Sequence, residues 1–383
     1  MKKDYLIIFI LVATELIGFG LIIPILPQIS EQYTSSGILI GVLLASYSFA
    51  QFFAAPLLGK WSDQIGRKPV LIISKVGTIF SYILLALSNN YLILLISRLL
   101  DGFTGGNIGV ARAYLSDIST EENRSKAMAI IGISFAIGFI LGPAIGGYCY
   151  KLANNFSIAG YVGACLSLIS LIITTLGLKE PKRIIKSKSK PLLSSIKKLP
   201  KQTIIILILY GLIMITFSGF ETSFSVYTHA KFGLSESQNS LLFLYIGIAA
   251  FLVQGSLMKV AIKQFKIAVI FTISSIGLGL ILTNVIVPMW PSLSMLLLLV
   301  LGIGIANTHF PAELTKINSD EKGAVLGIYE GIGSIARIIG PLFVYLLLYN
   351  HITIIYLIMG IFIILTMLLL LPFLTVNHQQ KST

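Results

Sequence analysis

The sequence predicts an all-α polytopic membrane protein, with twelve transmembrane helices arranged as two six-helix bundles. Three observations carry that expectation. The 383 residues are 56% hydrophobic and only 11% charged, with a mean hydropathy of +0.91, too apolar for a soluble two-domain enzyme. Apolar windows of about 20 residues, the length needed to cross a bilayer, recur along the whole chain. Near its middle runs one strongly basic linker, KEPKRIIKSKSKPLLSSIKKLPK.

The windows place twelve spans near residues 5–27, 38–58, 69–87, 91–115, 126–148, 157–177, 203–228, 239–258, 266–286, 292–311, 324–348 and 352–373. The first follows Lys2 and Lys3, is longer than a signal-peptide core and has no convincing cleavage site, so it reads as a retained helix. Basic residues then set the orientation. Lys60, Arg67 and Lys68 follow span 2, Arg124 and Lys126 follow span 4, and Lys259, Lys263 and Lys266 follow span 8. Lys316 and Lys322 follow span 10, and nine basic residues lie between Lys179 and Lys201. The other side holds Lys151 and Lys231. By the positive-inside rule both termini and the central linker face the cytoplasm, which corresponds to an inner, cytoplasmic membrane. The expected organisation is a bundle over 1–178, a basic linker over 179–202 and a second bundle over 203–383.

A formal charge of +13 raises the question of nucleic acid, but the charges collect in loops on one side of the membrane, as a topological signal and a lipid contact do. Cys149 and Cys165 form no disulfide framework or metal-ligand spacing. The histidines at 229, 309, 351 and 378 have no ligand spacing either. Neither a nucleotide-binding glycine loop nor a nucleophile elbow nor a zinc pattern occurs, which argues against an enzyme and against ATP as the energy source. The expectation is no cofactor, no metal and no nucleic acid, with the lipid bilayer as a partner.

The stretch GKWSDQIGRKPV, from Gly59 to Val70, is a charged, glycine-punctuated segment between two apolar runs, expected to form a tight turn at the membrane surface with Pro69 opening the next helix. Gly59, Asp63, Gly66, Arg67 and Lys68 resemble the signature loop between helices 2 and 3 of the major facilitator superfamily, of form G-x-x-x-D-x-x-G-R-[KR]. The resemblance implies an ion pair between Arg67 and Asp117 at the end of span 4, and Asp63 set against the N-terminus of span 11, together latching the cytoplasmic side. It also implies a six-plus-six repeat with the substrate site near the bilayer midplane. Gly142-Pro143 in span 5 recurs as Gly340-Pro341 in span 11, and the loop ending at Arg67 has a weak echo around 259–266, where Ile262 and Phe265 stand at the positions of Asp63 and Gly66.

Ionisable residues at membrane depth are costly and each needs a partner or a task. Glu15 lies about ten residues into span 1, in ELIGFGLIIPILP, which resembles the first helix of tetracycline and related drug exporters at Gly18, Gly20, Leu21, Pro24, Leu26 and Pro27. A desolvated carboxylate there is suited to bind and release a proton, although packing against a neighbouring helix is an alternative task. In span 4, Arg98 and Gly102 resemble the family's R-x-x-[Q]-G helix, with Asp101 where a neutral residue is usual. Three residues apart, Arg98 and Asp101 share a helix face. They either neutralise each other or couple proton binding to conformation. Arg112 is a second departure, placed at the cytoplasmic mouth. Gly138, Gly142, Pro143, Gly146 and Gly147 resemble the antiporter signature G-x(3)-G-P-x(2)-G-G, and their spacing also serves close helix packing.

In the second half, Phe220, Glu221 and Phe224 form an aromatic-acidic cluster suited to an amphiphilic cation, or simply pack. Glu330 and Arg337 are seven apart on span 11, either a buried pair or cavity-lining charges. The resemblance as a whole implies a proton-coupled exporter that works as a monomer, takes a proton gradient as its driving force, and has protons and a small-molecule substrate, an amphiphilic, drug-like compound, as its partners. A carrier of the same fold that moves a metabolite or siderophore is the alternative.

Overall fold

The computed structural model describes residues 3–119, 124–153, 156–181, 199–257, 264–318, 322–347, 349–370 and 372–373. Among these, the elements are helical. Helix α1 (Lys3–Ile22) stops short of the expected residue 27, because Pro24 and Pro27 lack the N–H that would extend its ladder, and the short α2 (Leu26–Glu31) resumes beyond. There follow α3 (Gly37–Ile65), α4 (Arg67–Ala86), α5 (Tyr91–Gly105), α6 (Ile108–Ile118), α7 (Arg124–Ala153) and α8 (Ser157–Gly177). After the linker come α9 (Lys201–Phe232), α10 (Glu236–Leu257), α11 (Phe265–Val285), α12 (Met289–Ser294), α13 (Leu296–Ile317), α14 (Lys322–Leu347) and α15 (Ile355–Leu370), the last preceded by a 3-10 turn (Tyr349–Ile354).

Among the described residues, ten helices are long and apolar enough to cross a membrane. The fourth and eighth expected spans complete the twelve. The fourth is broken into α5 and α6, so neither piece alone reaches spanning length. The eighth is α10, whose apolar core is the shorter Ser237–Val253. Most of the basic linker, residues 182–198, lies outside the described residues, as does the second-half loop at 258–263 with Ile262; Phe265 opens α11.

The segment after span 2 differs from its expectation. Helix α3 continues through Gly59, Lys60 and Asp63 to Ile65, and the reversal is confined to Gly66, at φ 117°. Only glycine takes that backbone region without strain, so one residue makes the turn. Gly59 sits in the helix interior and does not bend the chain. Pro69 is the third residue of α4 rather than the first, still within the first turn, where backbone N–H groups have no helical acceptor.

By backbone packing the chain forms two compact units: Met1–Lys186 with Glu221–Gly247 and Pro341–Leu347, and Ser187–Phe220 with Ile248–Gly340 and Leu348–Thr383. In the second unit, α11 packs against α13 and α15, and Tyr210 stacks on Tyr329 with ring centroids 3.7 Å apart. In the first, Ile7, Leu11, Leu71, Ala111 and Leu115 share one apolar cluster, while Leu21, Tyr82, Leu85, Leu94 and Ala159 share another. The start of α4 meets the end of α6 through Arg67 and Asp117, and the end of α8 through Lys68 and Thr175. Gly177 of α8 lies against Ile7 and Lys3 of α1. These four helix ends therefore define one side of the unit.

The closest approach in the first unit is between α1 and α7. A Cβ at Gly138, Gly142 or Gly146 would run into Leu16, into Gly20 and the Ile17 carbonyl, or into the Leu21 carbonyl, all on α1. Small residues every four positions let the two backbones touch. Gly147 looks the other way, to Ser240 on α10, and Pro143 lies within α7. Replacing Gly146 by alanine is expected to force the helices apart and to cost about 1–3 kcal/mol. Gly132→Ala, on the same helix but with nothing within 4 Å of the new methyl group, is expected to cost nothing and to stabilise by up to about 1 kcal/mol. Thermal unfolding of the two variants in the same detergent makes the comparison.

Candidate functional site

Glu15 is buried in the middle of α1, 4% exposed, at a depth where an ionised group is costly without a partner. Its Oε2 accepts the ammonium of Lys75, on α4, at 2.5 Å, and Lys75 has no exposed surface. Lys75 also reaches Thr14 Oγ1 at 3.4 Å. The second carboxylate oxygen, Oε1, accepts Thr78 Oγ1 at 3.4 Å, and Thr78 in turn shares a 3.1 Å hydroxyl contact with Thr104 of α5. Lys75 was not singled out in the sequence, although the rule that found Glu15 applies to it equally. It lies eight residues into α4, about 12 Å along the helix axis from Arg67.

Arg98 and Asp101 form a second pair on α5, Nη1 to Oδ2 at 3.0 Å, both at most 2% exposed. Ser81 of α4, less than a turn beyond Thr78, donates to Asp101 Oδ1 at 3.2 Å. The Arg98 guanidinium stands 5.6 Å from the centre of the Tyr82 ring. Two acids and two bases thus sit between α1, α4 and α5, with Thr78 and Thr104 between the pairs. Their charges sum to zero, the condition under which a buried set of ions is tolerable.

At the side of the unit where α4 begins, Arg67 is the centre of a second cluster. Its Nη1 lies 2.6 Å from Asp63 Oδ1 and donates to Ser62 Oγ, while its Nε reaches Asp117 Oδ2 at 3.0 Å. Glu180, unmarked in the sequence, accepts the backbone N–H groups of Arg67 and Lys68 at 2.7 and 2.8 Å. A carboxylate there answers two of the orphan donors of α4 and its dipole. Lys68 Nζ donates to the Thr175 carbonyl at 2.8 Å, and Tyr114 Oη to that of Lys179 at 2.7 Å. Gly66 is needed twice, for its φ and because a Cβ would stand 2.9 Å from the Glu180 carboxyl.

The remaining sequence candidates are placed differently. The break at Gly105–Asn107 interrupts the helical phase that linked Arg112 to Asp101, and Arg112 is half-buried on α6. In the first unit, Glu221 is buried, and Phe224 is fully buried with its ring edge-on to Phe243 at 5.0 Å. In the second unit, Phe220 packs on Tyr356 at 5.5 Å. Both phenylalanines are packed in core. Glu330 is exposed and Arg337 half-buried, donating to Ser334 Oγ at 3.1 Å, so the two do not form a buried pair. The reason is that Tyr329, not its neighbour Glu330, faces inward to stack on Tyr210.

Apolar helices of spanning length, with ion pairs buried between them, define a multi-pass membrane protein with a charged interior. The profile of the Major Facilitator Superfamily matches residues 8–319, and the chain belongs to that family. It is 28% identical over 361 residues to a tetracycline resistance protein, class E, of Escherichia coli, covering 91% of this chain and 89% of that one. Among solved structures, it is similar to the human organic anion transporter MFSD10 (TETRAN), with a TM-score of 0.69, 23% identity and coverage of 96% and 99%. The nucleoside transporter NupG superimposes with a TM-score of 0.80 at 16% identity, over 98% of this chain and 100% of that one. The protein is a transporter and not an enzyme.

Proposed function

We propose that this transporter exports small amphiphilic compounds in exchange for protons, by alternating access in a cytoplasmic membrane with both termini inside. Glu15 is the residue that takes and releases the proton, with Asp101 and Arg98 assisting. The observation that carries the reading is the buried Glu15–Lys75 pair, set beside Arg98–Asp101 in the membrane interior. A permanently paired carboxylate adds little to stability compared with apolar packing, so an acid held at this depth has work to do. The glycine pattern of α7 and a relative named for tetracycline resistance support the export direction. The Arg67–Asp63–Asp117 cluster then serves as the cytoplasmic latch of a carrier that works as a monomer.

One observation favours a second reading. A proton on Glu15 leaves the Lys75 ammonium without its anion, and a substrate carboxylate would restore neutrality. Proton and organic anion would then move together, and organic anions are the substrate class for which the similar human transporter MFSD10 is named. Proteoliposomes with a trapped pH dye separate the two. Driven inward by its own gradient, a tetracycline or carboxylate probe is expected to alkalinise the lumen if exchange is the mechanism. Acidification would overturn exchange in favour of co-movement, and an unchanged lumen would overturn proton coupling altogether.

A further inference from the structure

The fourth span is interrupted at Gly105–Asn107, and neither ion pair uses the asparagine found there. Asn107 has no exposed surface, and among the described residues neither its Oδ1 nor its Nδ2 has a hydrogen-bond partner. Buried amides are rarely left so, because both ends carry a desolvation penalty that only a partner offsets. The interruption frees backbone as well. The Gly105 carbonyl, which an unbroken helix would engage at residue 109, instead accepts Gln51 Nε2 at 3.1 Å. Broken helices at membrane depth are tolerated where they line a site.

The register places Asn107 at the level of the Glu15–Lys75 pair. Helices α1, α4 and α6 meet in the cluster that contains Leu11, Leu71 and Ala111. The starts of α1 and α4 and the end of α6 lie on one side of the unit, so one turn beyond Leu11, Leu71 and Ala111, on the far side from those ends, come Glu15, Lys75 and Asn107 respectively. Gly105 confirms the level: a Cβ there would stand 3.2 Å from Glu15 Oε1. Lys75 has three N–H donors, and its acceptors among the described residues are Glu15 and, at a long 3.4 Å, Thr14. One donor of Lys75 and the whole amide of Asn107 are therefore unspent at the same level.

We propose that the interruption holds a water molecule between Asn107 and Lys75, and that this water is the route by which protons reach and leave Glu15. A metal cation is disfavoured by the ammonium and an anion by the carboxylate, whereas a neutral donor and acceptor suits both Lys75 and the amide. In the forward step the held water passes one of its protons to Glu15 as it takes one from a hydronium on its far side, so that at each transfer one O–H bond breaks and one forms and neutral water stays in place; the return step reverses it. The titratable groups around Glu15 are Lys75 and Tyr82 of α4, Tyr47 of α3, and Asp101 and Arg98 of α5. Among the described residues none of these lies on α6, whose nearest charged side chain, Arg112, stands five residues beyond Asn107. The inference rests on Glu15 being the proton site and adds how the proton arrives.

Threonine and valine have one shape and differ by a hydroxyl, so Asn107→Thr and Asn107→Val separate polarity from packing. In full-length protein in proteoliposomes, a pH jump is followed by the infrared carboxyl band that is lost in Glu15→Gln/Lys75→Met. Asn107→Thr is expected to protonate within about threefold of the parent rate and Asn107→Val at least about tenfold more slowly, the span of one hydrogen bond. Equal rates in the two variants, with the band present, overturn the water route alone. A parent protein with no such band overturns Glu15 as the proton site and the route with it.

Discussion

Lys75→Met is expected to be the most damaging single substitution in the first unit. It removes the ammonium 2.5 Å from a carboxylate that is 3% exposed and leaves that carboxylate buried without a counter-charge. Breaking a buried pair from one side costs about 3–5 kcal/mol, far more than the pair contributes over apolar packing. The same logic predicts rescue. The double variant Glu15→Gln/Lys75→Met removes both charges, and its thermal unfolding in detergent is expected to return to within about 1 kcal/mol of the parent. A Lys75→Met protein as stable as the parent would mean that Glu15 does not rely on Lys75.

The second large effect is on coupling, and the pair changes how it must be measured. Glu15→Gln alone strands Lys75, so lost transport in that variant would confuse folding with mechanism. The double variant avoids this. A gradient of about two pH units is worth about 2.7 kcal/mol per proton, enough for roughly 100-fold accumulation of a substrate exchanged one for one. In energised inverted vesicles the parent is expected to accumulate probe uphill and to lose the gradient with a protonophore. Glu15→Gln/Lys75→Met is expected to equilibrate the probe to a ratio near one. Uphill accumulation at the parent rate would remove Glu15 from the mechanism, whatever the fold.

The twelve spans were legible because a bilayer demands about 20 apolar residues per crossing, a constraint that acts on each stretch separately. Glu15, Arg98 and Asp101 stood out for the same local reason, charge where charge is expensive. Lys75 carries that signal too, as a charge eight residues into an apolar span, but it stands outside the stretches that resemble the family's motifs. Glu180 carries no such signal. A glutamate at the mouth of a basic linker looks like any solvated residue until the chain brings it back to the start of α4.

Segment type, the approximate place of each span, and the presence of Glu15, Arg98 and Asp101 at membrane depth were settled by the sequence alone, since each depends only on a residue and its neighbours along one helix. Which charges meet, where the turn at Gly66 is confined, and that the fourth span breaks at Asn107 were decided by tertiary packing. Glu15 and Lys75 are 60 residues apart, and only the approach of α1 to α4 makes one the answer to the other. Partners across helices are chosen by the facing of each helix, and in lipid, where hydrophobicity no longer distinguishes inside from outside, that facing leaves little trace in the sequence.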